Sequence, residues 1–120
     1  MGIKVKVKGS FKSTEEYLQT HKSSIFTEEQ IYQIAEKSLE LFKKNTPSKS
    51  GKTAESWSYE INKRNGKYSI IMHNSNIQNG YSVAILVNDG HATQSGQYIS
   101  GTHYIDKTIE EIFKYINSLK

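Results

Sequence analysis

The chain is predicted to fold as a single α+β domain, an antiparallel β-sheet with a central β-hairpin packed by a long helix and a C-terminal helix. Three observations predict it. Apolar residues recur at helical spacing after Thr27 and again after His103, and an Asn-Gly dipeptide at 65–66 separates two alternating segments. The length, 120 residues at 13.7 kDa, has room for one core only.

Taking the elements in order, Ile3, Val5 and Val7 alternate with Lys4, Lys6 and Lys8, a period of two that buries one face of a strand and solvates the other. Such a segment serves either as an edge strand guarded by lysines or as an extended arm reaching a neighbour or DNA. Ser13 and Glu16 have capping-box spacing, which predicts a short helix through about His21. Residues 1–25 thus form an N-terminal arm with a short strand and a helix.

Thr27 and Gln30 repeat the capping-box spacing, and Ile31, Ile34, Ala35, Leu39 and Phe42 follow at three- and four-residue intervals. Glu28 and Glu29 in the first turn and Lys43 and Lys44 in the last agree with the helix dipole, and Pro47 prevents continuation. The helix therefore spans residues 27–45. Asn65-Gly66 suits the positive φ angles of a two-residue type I′ turn, so residues 57–74 read as a hairpin. Counting back from the turn pairs Ile61 with Ile70 and Tyr59 with Met72. That register places Trp57, Tyr59, Ile61, Tyr68, Ile70 and Met72 on one face.

Residues 81–87 suit either a strand or a short helix, and Gly90 ends the segment in both cases. A polar loop over 91–97, a brief strand-like Tyr98-Ile99 and Gly101 then lead into a final helix over 103–119. Its apolar stripe is Ile105, Ile109, Ile112, Phe113, Ile116 and Leu119.

Composition narrows the chemistry. Hydrophobic residues make up 35% and the mean hydropathy is -0.66, which predicts a thin core supplemented by partner surfaces. No apolar stretch approaches the ~20 residues of a membrane span, and the first residues lack the apolar region of a secretory signal. The expectation is a protein without a membrane partner. Zero cysteines exclude disulfides, thiolate metal sites and cysteine nucleophiles. The net charge of +4 rests almost wholly on lysine, and Arg64 is the only arginine. Bidentate forks that read base edges are therefore missing, whereas point charges for phosphate remain.

Ser50-Gly51-Lys52-Thr53 resembles the tail of a phosphate-binding loop, but Thr46 stands where that loop needs glycine and a helix precedes it. His21, His73, His91 and His103, with Asp89 and Asp106 near the last two, keep a small metal-dependent hydrolase as an alternative, although no pair has His-Glu-x-x-His spacing. No Gly-x-Ser-x-Gly elbow is present. Paired glutamates at 15–16, 28–29 and 110–111 fall on helix surfaces. No catalytic constellation emerges, so neither enzyme activity nor a cofactor or metal is expected. Eight tyrosines among lysines keep a freestanding nucleic-acid-binding module as a further alternative. Against it, Tyr59 and Tyr68 face the inferred core, and Tyr98 and Tyr104 flank the turn at Gly101.

Three segments, in this order and at these separations, carry a family resemblance. Thr46-Pro47-Ser48-Lys49-Ser50-Gly51, leading through Ser56 into the first hairpin strand, resembles a Thr-Pro-x-x-Thr/Ser-Gly element. Val87-Asn88-Asp89-Gly90-His91, after residues 81–84, resembles an apolar-x-x-Gly-His/Thr element. Ile99-Ser100-Gly101-Thr102-His103-Tyr104-Ile105 is similar to an apolar-x-Gly-x-x-aromatic-apolar element that opens a last helix. Together they resemble the tail-completion or head–tail joining proteins of long-tailed double-stranded DNA phages, a family typified by gene product ten of a Hong Kong lambdoid phage. The resemblance covers roughly residues 27–120. Many relatives carry Glu where this chain has Asn88, and Arg or Lys where it has Ala92 and Thr93.

The resemblance implies a noncatalytic virion part, assembled in the host cytoplasm. It would form a homo-oligomeric ring in the neck between the head-closure (adaptor) protein and the tail terminator, around the channel through which genomic DNA leaves. Candidate subunit-interface residues are Asn88, Asp89, Gly90, His91, Gly101 and His103, a polar corner whose glycines permit tight turns. Ring contacts are heterologous, one patch fitting a different patch on the next copy. A channel wall needs moderate positive charge, which makes Lys4, Lys6, Lys8, Lys63, Arg64 and Lys67 the DNA-channel candidates.

Overall fold

Local signals settle the first helix and the hairpin. In the computed structural model, which describes residues 3–9, 26–47, 51–65, 67–93 and 95–119, helix α1 runs Glu28–Asn45. The Thr27 hydroxyl accepts from the Gln30 N–H at 3.1 Å, and Gln30 Oε1 accepts from the Thr27 N–H at 2.9 Å, a complete capping box. The buried stripe of α1 includes Ile31, Ile34, Ala35, Leu41 and Phe42. The helix predicted near residues 13–21 lies outside the described residues.

Strand β2 (Trp57–Arg64) pairs antiparallel with β3 (Lys67–Asn74), with Ile61 opposite Ile70 and Tyr59 opposite Met72. Strand β1 (Ile3–Val7) then adds to the far edge of β3 in parallel, Val5 beside Ile70 and Val7 beside Met72. The sheet is thus mixed, in the order β1-β3-β2. Of the two readings of the N-terminal alternation, the edge strand is the one adopted. Ile3, Val5 and Val7 are buried in the protein's own core.

A one-turn helix α2 (Lys52–Glu55) precedes β2. After β3 come a two-stranded ladder of β4 (Ile77–Gln78) and β5 (Tyr81–Ser82), helix α3 (Val83–Asp89), a second ladder of β6 (Gly90–Ala92) and β7 (Tyr98–Ser100), and helix α4 (Tyr104–Ser118). The ambiguous segment 81–87 therefore contains both elements, two strand residues and then a helix. His91 and Ala92, expected in a loop, belong to a strand. The β4–β5 hairpin was not anticipated, although its turn, Asn79 at φ 53° and Gly80 at φ 80°, uses the same dipeptide as residues 65–66.

The core lies on one side of the sheet. Ile3, Val5, Ile70, Met72 and Trp57 meet Ile34 and Phe42 of α1 and Ile105, Ile109, Ile112 and Ile116 of α4 in a single cluster. Phe42 and Trp57 pack with ring centroids 4.7 Å apart. The two helices are also pinned by a polar contact, since Asn45 Nδ2 donates to Thr108 Oγ1 at 3.0 Å and to Glu111 Oε1 at 2.6 Å. Among the described residues, no helix is long and apolar enough to cross a membrane.

Candidate functional site

A backbone joint links the end of α3 to the start of α4. Asn88 ends almost fully buried, at 1% exposure, and all of its polar groups face inward. Its Oδ1 accepts from the Ile105 N–H at 2.9 Å, its carbonyl accepts from the His103 N–H at 3.1 Å, and its Nδ2 donates to Asp89 Oδ1 at 2.8 Å. Asn88 thereby caps α4 from seventeen residues away. The cap is needed because His103, the residue preceding the helix, sits in the left-handed region at φ 56° and gives no side-chain cap of its own. Thr102 reinforces the joint, its N–H and hydroxyl both donating to the Val87 carbonyl at 3.0 and 3.1 Å.

Two glycines make this approach possible, for different reasons. Gly90 has φ 86° and ψ 164°, a conformation nearly closed to other residues, and a Cβ there would lie 2.7 Å from the Gly101 nitrogen. Gly101 is required by proximity alone, because a Cβ would lie 2.2 Å from the Asn88 carbonyl oxygen. Residues 88–91 and 99–103 are therefore two halves of one fitted piece. Of the six candidate interface residues, Asn88 is buried and Gly90 and Gly101 are half-buried, and all three build this piece. Asp89 is engaged by Asn88. The exposed His103, whose Nδ1 lies 3.6 Å from Asp106 Oδ2, and the half-buried His91 remain on the outside. His91 Nδ1 is the only buried side-chain polar atom among the described residues with no hydrogen-bond partner.

The Thr46 segment joins the same structure. The Thr46 hydroxyl donates to the Phe42 carbonyl and accepts from Trp57 Nε1 at 2.8 Å, tying the end of α1 to the start of β2. It also lies beside the Tyr104 hydroxyl, which donates to the Ala84 carbonyl at 2.8 Å. Burial, with Asp89 adding to it, pushes the Tyr104 hydroxyl well above its ordinary range, so the neutral form is the one the fold holds. The segment around Thr53 is equally committed. Its hydroxyl accepts from Asn76 Nδ2 at 2.9 Å and its carbonyl from Asn74 Nδ2 at 2.8 Å. In the stretch that resembled a phosphate-binding loop, Thr53 is a buried tie to the end of β3.

Among the described residues, four of the five exposed large apolar side chains lie around this joint, the fifth being Tyr32 on α1. Tyr81 is 63% exposed, Tyr98 66%, Ile77 52% and Ile99 49%, and all four lie on the two small hairpins at either end of α3. Residues on the β4–β5 side also border an open cavity of about 360 Å³, lined by Ile77, Tyr81, Ile85 and Leu86 together with Lys8 and His73. One end of α3 thus offers a concave apolar surface and the other a projecting hairpin. These four residues escaped sequence reasoning. The signals were the second Asn-Gly dipeptide and the Tyr98-Ile99 pair between Gly96 and Gly101.

The DNA-channel candidates separate by strand parity. Lys4 and Lys6 of β1 and Arg64 and Lys67 at the hairpin end lie on the sheet face away from the helices, with Lys8 just past β1. Lys63 is on the helix side, its ammonium 5.3 Å from the centre of the Tyr68 ring. The described histidines are dispersed, His73 on the outer sheet face, His91 on β6 and His103 before α4, and His21 lies outside the described residues. Among the described residues, no group of three or more His, Asp or Glu converges as a metal site would require.

In comparisons with known proteins, no family model matches the chain, and no curated protein or solved structure shows significant similarity to it.

Proposed function

We propose that the chain is a noncatalytic structural component of a phage neck. In this reading copies assemble in the host cytoplasm into a ring that joins the head-closure complex to the tail terminator around the DNA exit channel. One observation carries it. Described residues of the three segments that resemble the tail-completion family, far apart in sequence, come together, with Thr46 beside Tyr104 and Asn88 capping Ile105. What the resembling residues build is a rigid mount, and the mount holds out two hairpins bearing exposed Tyr81, Ile77, Tyr98 and Ile99.

A ring contact needs two unlike patches on each copy. The groove at Ile77, Tyr81 and Ile85 and the projecting Tyr98-Ile99 strand supply one of each. Packing the strand of one copy into the groove of the next would bury apolar surface that isolated chains leave in water. The interface is accordingly assigned to the hairpins that the glycine corner supports.

Deleting the gene from the phage that carries it is the direct test. Filled heads and finished tails should accumulate unjoined, and plasmid-borne wild-type protein should restore joining. Normal yields of joined, infectious particles from the deletion would refute the reading.

A further inference from the structure

The outer face of the β1-β3-β2 sheet is uncommitted to the core and has a sharply biased chemistry. Its rows follow from the strand register. Arg64 lies opposite Lys67, and Asn62 opposite Ser69 with Lys4 on the next strand. Glu60 lies opposite Ile71 with Lys6 beyond. Four cations therefore share the face with one carboxylate, a surplus of three where the whole chain nets +4. With strands ~4.8 Å apart and a rise of ~3.4 Å per residue, the grid covers roughly 10 Å by 14 Å. Arg64 and Lys67, directly opposed and both exposed, repel each other in the free chain, a cost relieved when an anion spans them.

We infer that this sheet face is a docking surface for the phosphate backbone of duplex DNA. The charge selects a polyanion, and Asn62 and Ser69 add hydrogen-bond donors between the cations. Among the described residues, the side chains of this face disfavour the other nucleic-acid mode. Tyr59 and Tyr68 point to the helix side, and no Tyr, Trp or Phe lies on the outer face of these strands, so unpaired bases have nothing to stack on. With a single arginine, base-edge reading is minimal and binding is independent of sequence. This inference deepens the neck reading, in which duplex DNA passes through the ring, by saying which surface of each copy faces it.

The test uses the full chain and a 20-base-pair duplex, followed by anisotropy and by amide chemical shifts. Binding is expected in the micromolar range at about 50 mM salt, falling about a hundredfold by about 200 mM, as about four phosphate contacts require. Shifts should concentrate at residues 4–6, 60–64 and 67–71. Arg64→Glu with Lys67→Glu should weaken binding more than tenfold. Lys107→Glu with Lys114→Glu on α4, the same change in net charge, should weaken it less than threefold. Equal losses from the two double variants would overturn the assignment. So would tighter binding to single strands, or equal affinity for anionic phosphatidylserine vesicles or an acidic polyglutamate. Because the measurement is made on the free chain, its failure leaves ring formation through the hairpins untouched. Loss of ring formation would likewise leave this face intact.

Discussion

The sheet with α1 and α4, and the stretch from residue 76 to 103, are held by different forces. In the first, large side chains such as Phe42, Ile70 and Ile109 are almost wholly removed from water, and dispersion and the hydrophobic effect dominate. In the second, four large apolar side chains remain about half exposed or more, and order comes from backbone contacts, two glycines and the buried amide of Asn88. The difference indicates a division of labour. A body built on a buried apolar core carries a small, exactingly shaped mount that leaves apolar side chains exposed.

The comparison is broken most severely at the joint. Gly101→Ala places a methyl group 2.2 Å from a carbonyl oxygen, and neither backbone segment is able to retreat without losing its hydrogen bonds. It should cost about 3 kcal/mol or more, in the range of the most damaging core truncations. Chemical denaturation compared with Phe42→Ala would measure both. A Gly101→Ala protein of normal stability would show the joint to be slack.

Next in size is Asn88→Ala. It leaves the Ile105 N–H and the start of α4 without a cap in a buried setting, a loss of about 2 kcal/mol. Asn88→Asp keeps the acceptor and should recover part of it. An alanine variant as stable as the parent would remove the cap from the account.

The alkaline limb gives a smaller and more selective test. Burial raises the folded-state titration of Tyr104 above the ordinary 10.0, and Tyr59 is raised too, by burial and then by its 2.8 Å hydrogen bond to Glu36. A raised pKa means that the folded state holds the proton more tightly. Stability from these groups is complete below pH 10 and falls as the pH rises beyond it. Tyr104→Phe should flatten that fall in urea midpoints measured from pH 8 to 11, whereas an unchanged slope would place the proton-linked loss elsewhere.

Least costly to the fold is the change that matters most for assembly. Tyr98→Ser with Ile99→Ser alters exposed side chains but gives up the 3.3 Å hydrogen bond that the Tyr98 hydroxyl donates to the Asp89 carbonyl, and should cost about 1 kcal/mol. The same double variant should abolish particle joining. Normal joining would separate these residues from the interface.

Where the controlling interactions are local, the sequence is readable. Thr27 and Gln30 announce the start of α1 three residues apart, and Asn65-Gly66 fixes the pairing of eight residues on each side. The α+β class follows from those two elements and the stripe of α4. Interactions across long separations leave no such trace. The alternation of Ile3, Val5 and Val7 specifies a strand but not its parallel partner more than sixty residues away, and nothing near Asn88 announces that its amide will cap Ile105. Short elements fail for another reason. Over residues 81–87 a strand and a helix each satisfy the apolar spacing, and the chain uses both. At the candidate site the glycines were legible as turn formers, but their role in bringing Asn88 against Gly101 depends on the packed structure.

The central claim is that the hairpins held by this joint connect neighbouring copies in the particle. Cryo-electron microscopy of the intact neck tests it most directly. The account predicts a closed ring of this chain in which residues 98–99 of each copy lie against residues 77–85 of the next. Necks that join head to tail without the chain, or a ring whose hairpins face open solvent, would contradict it.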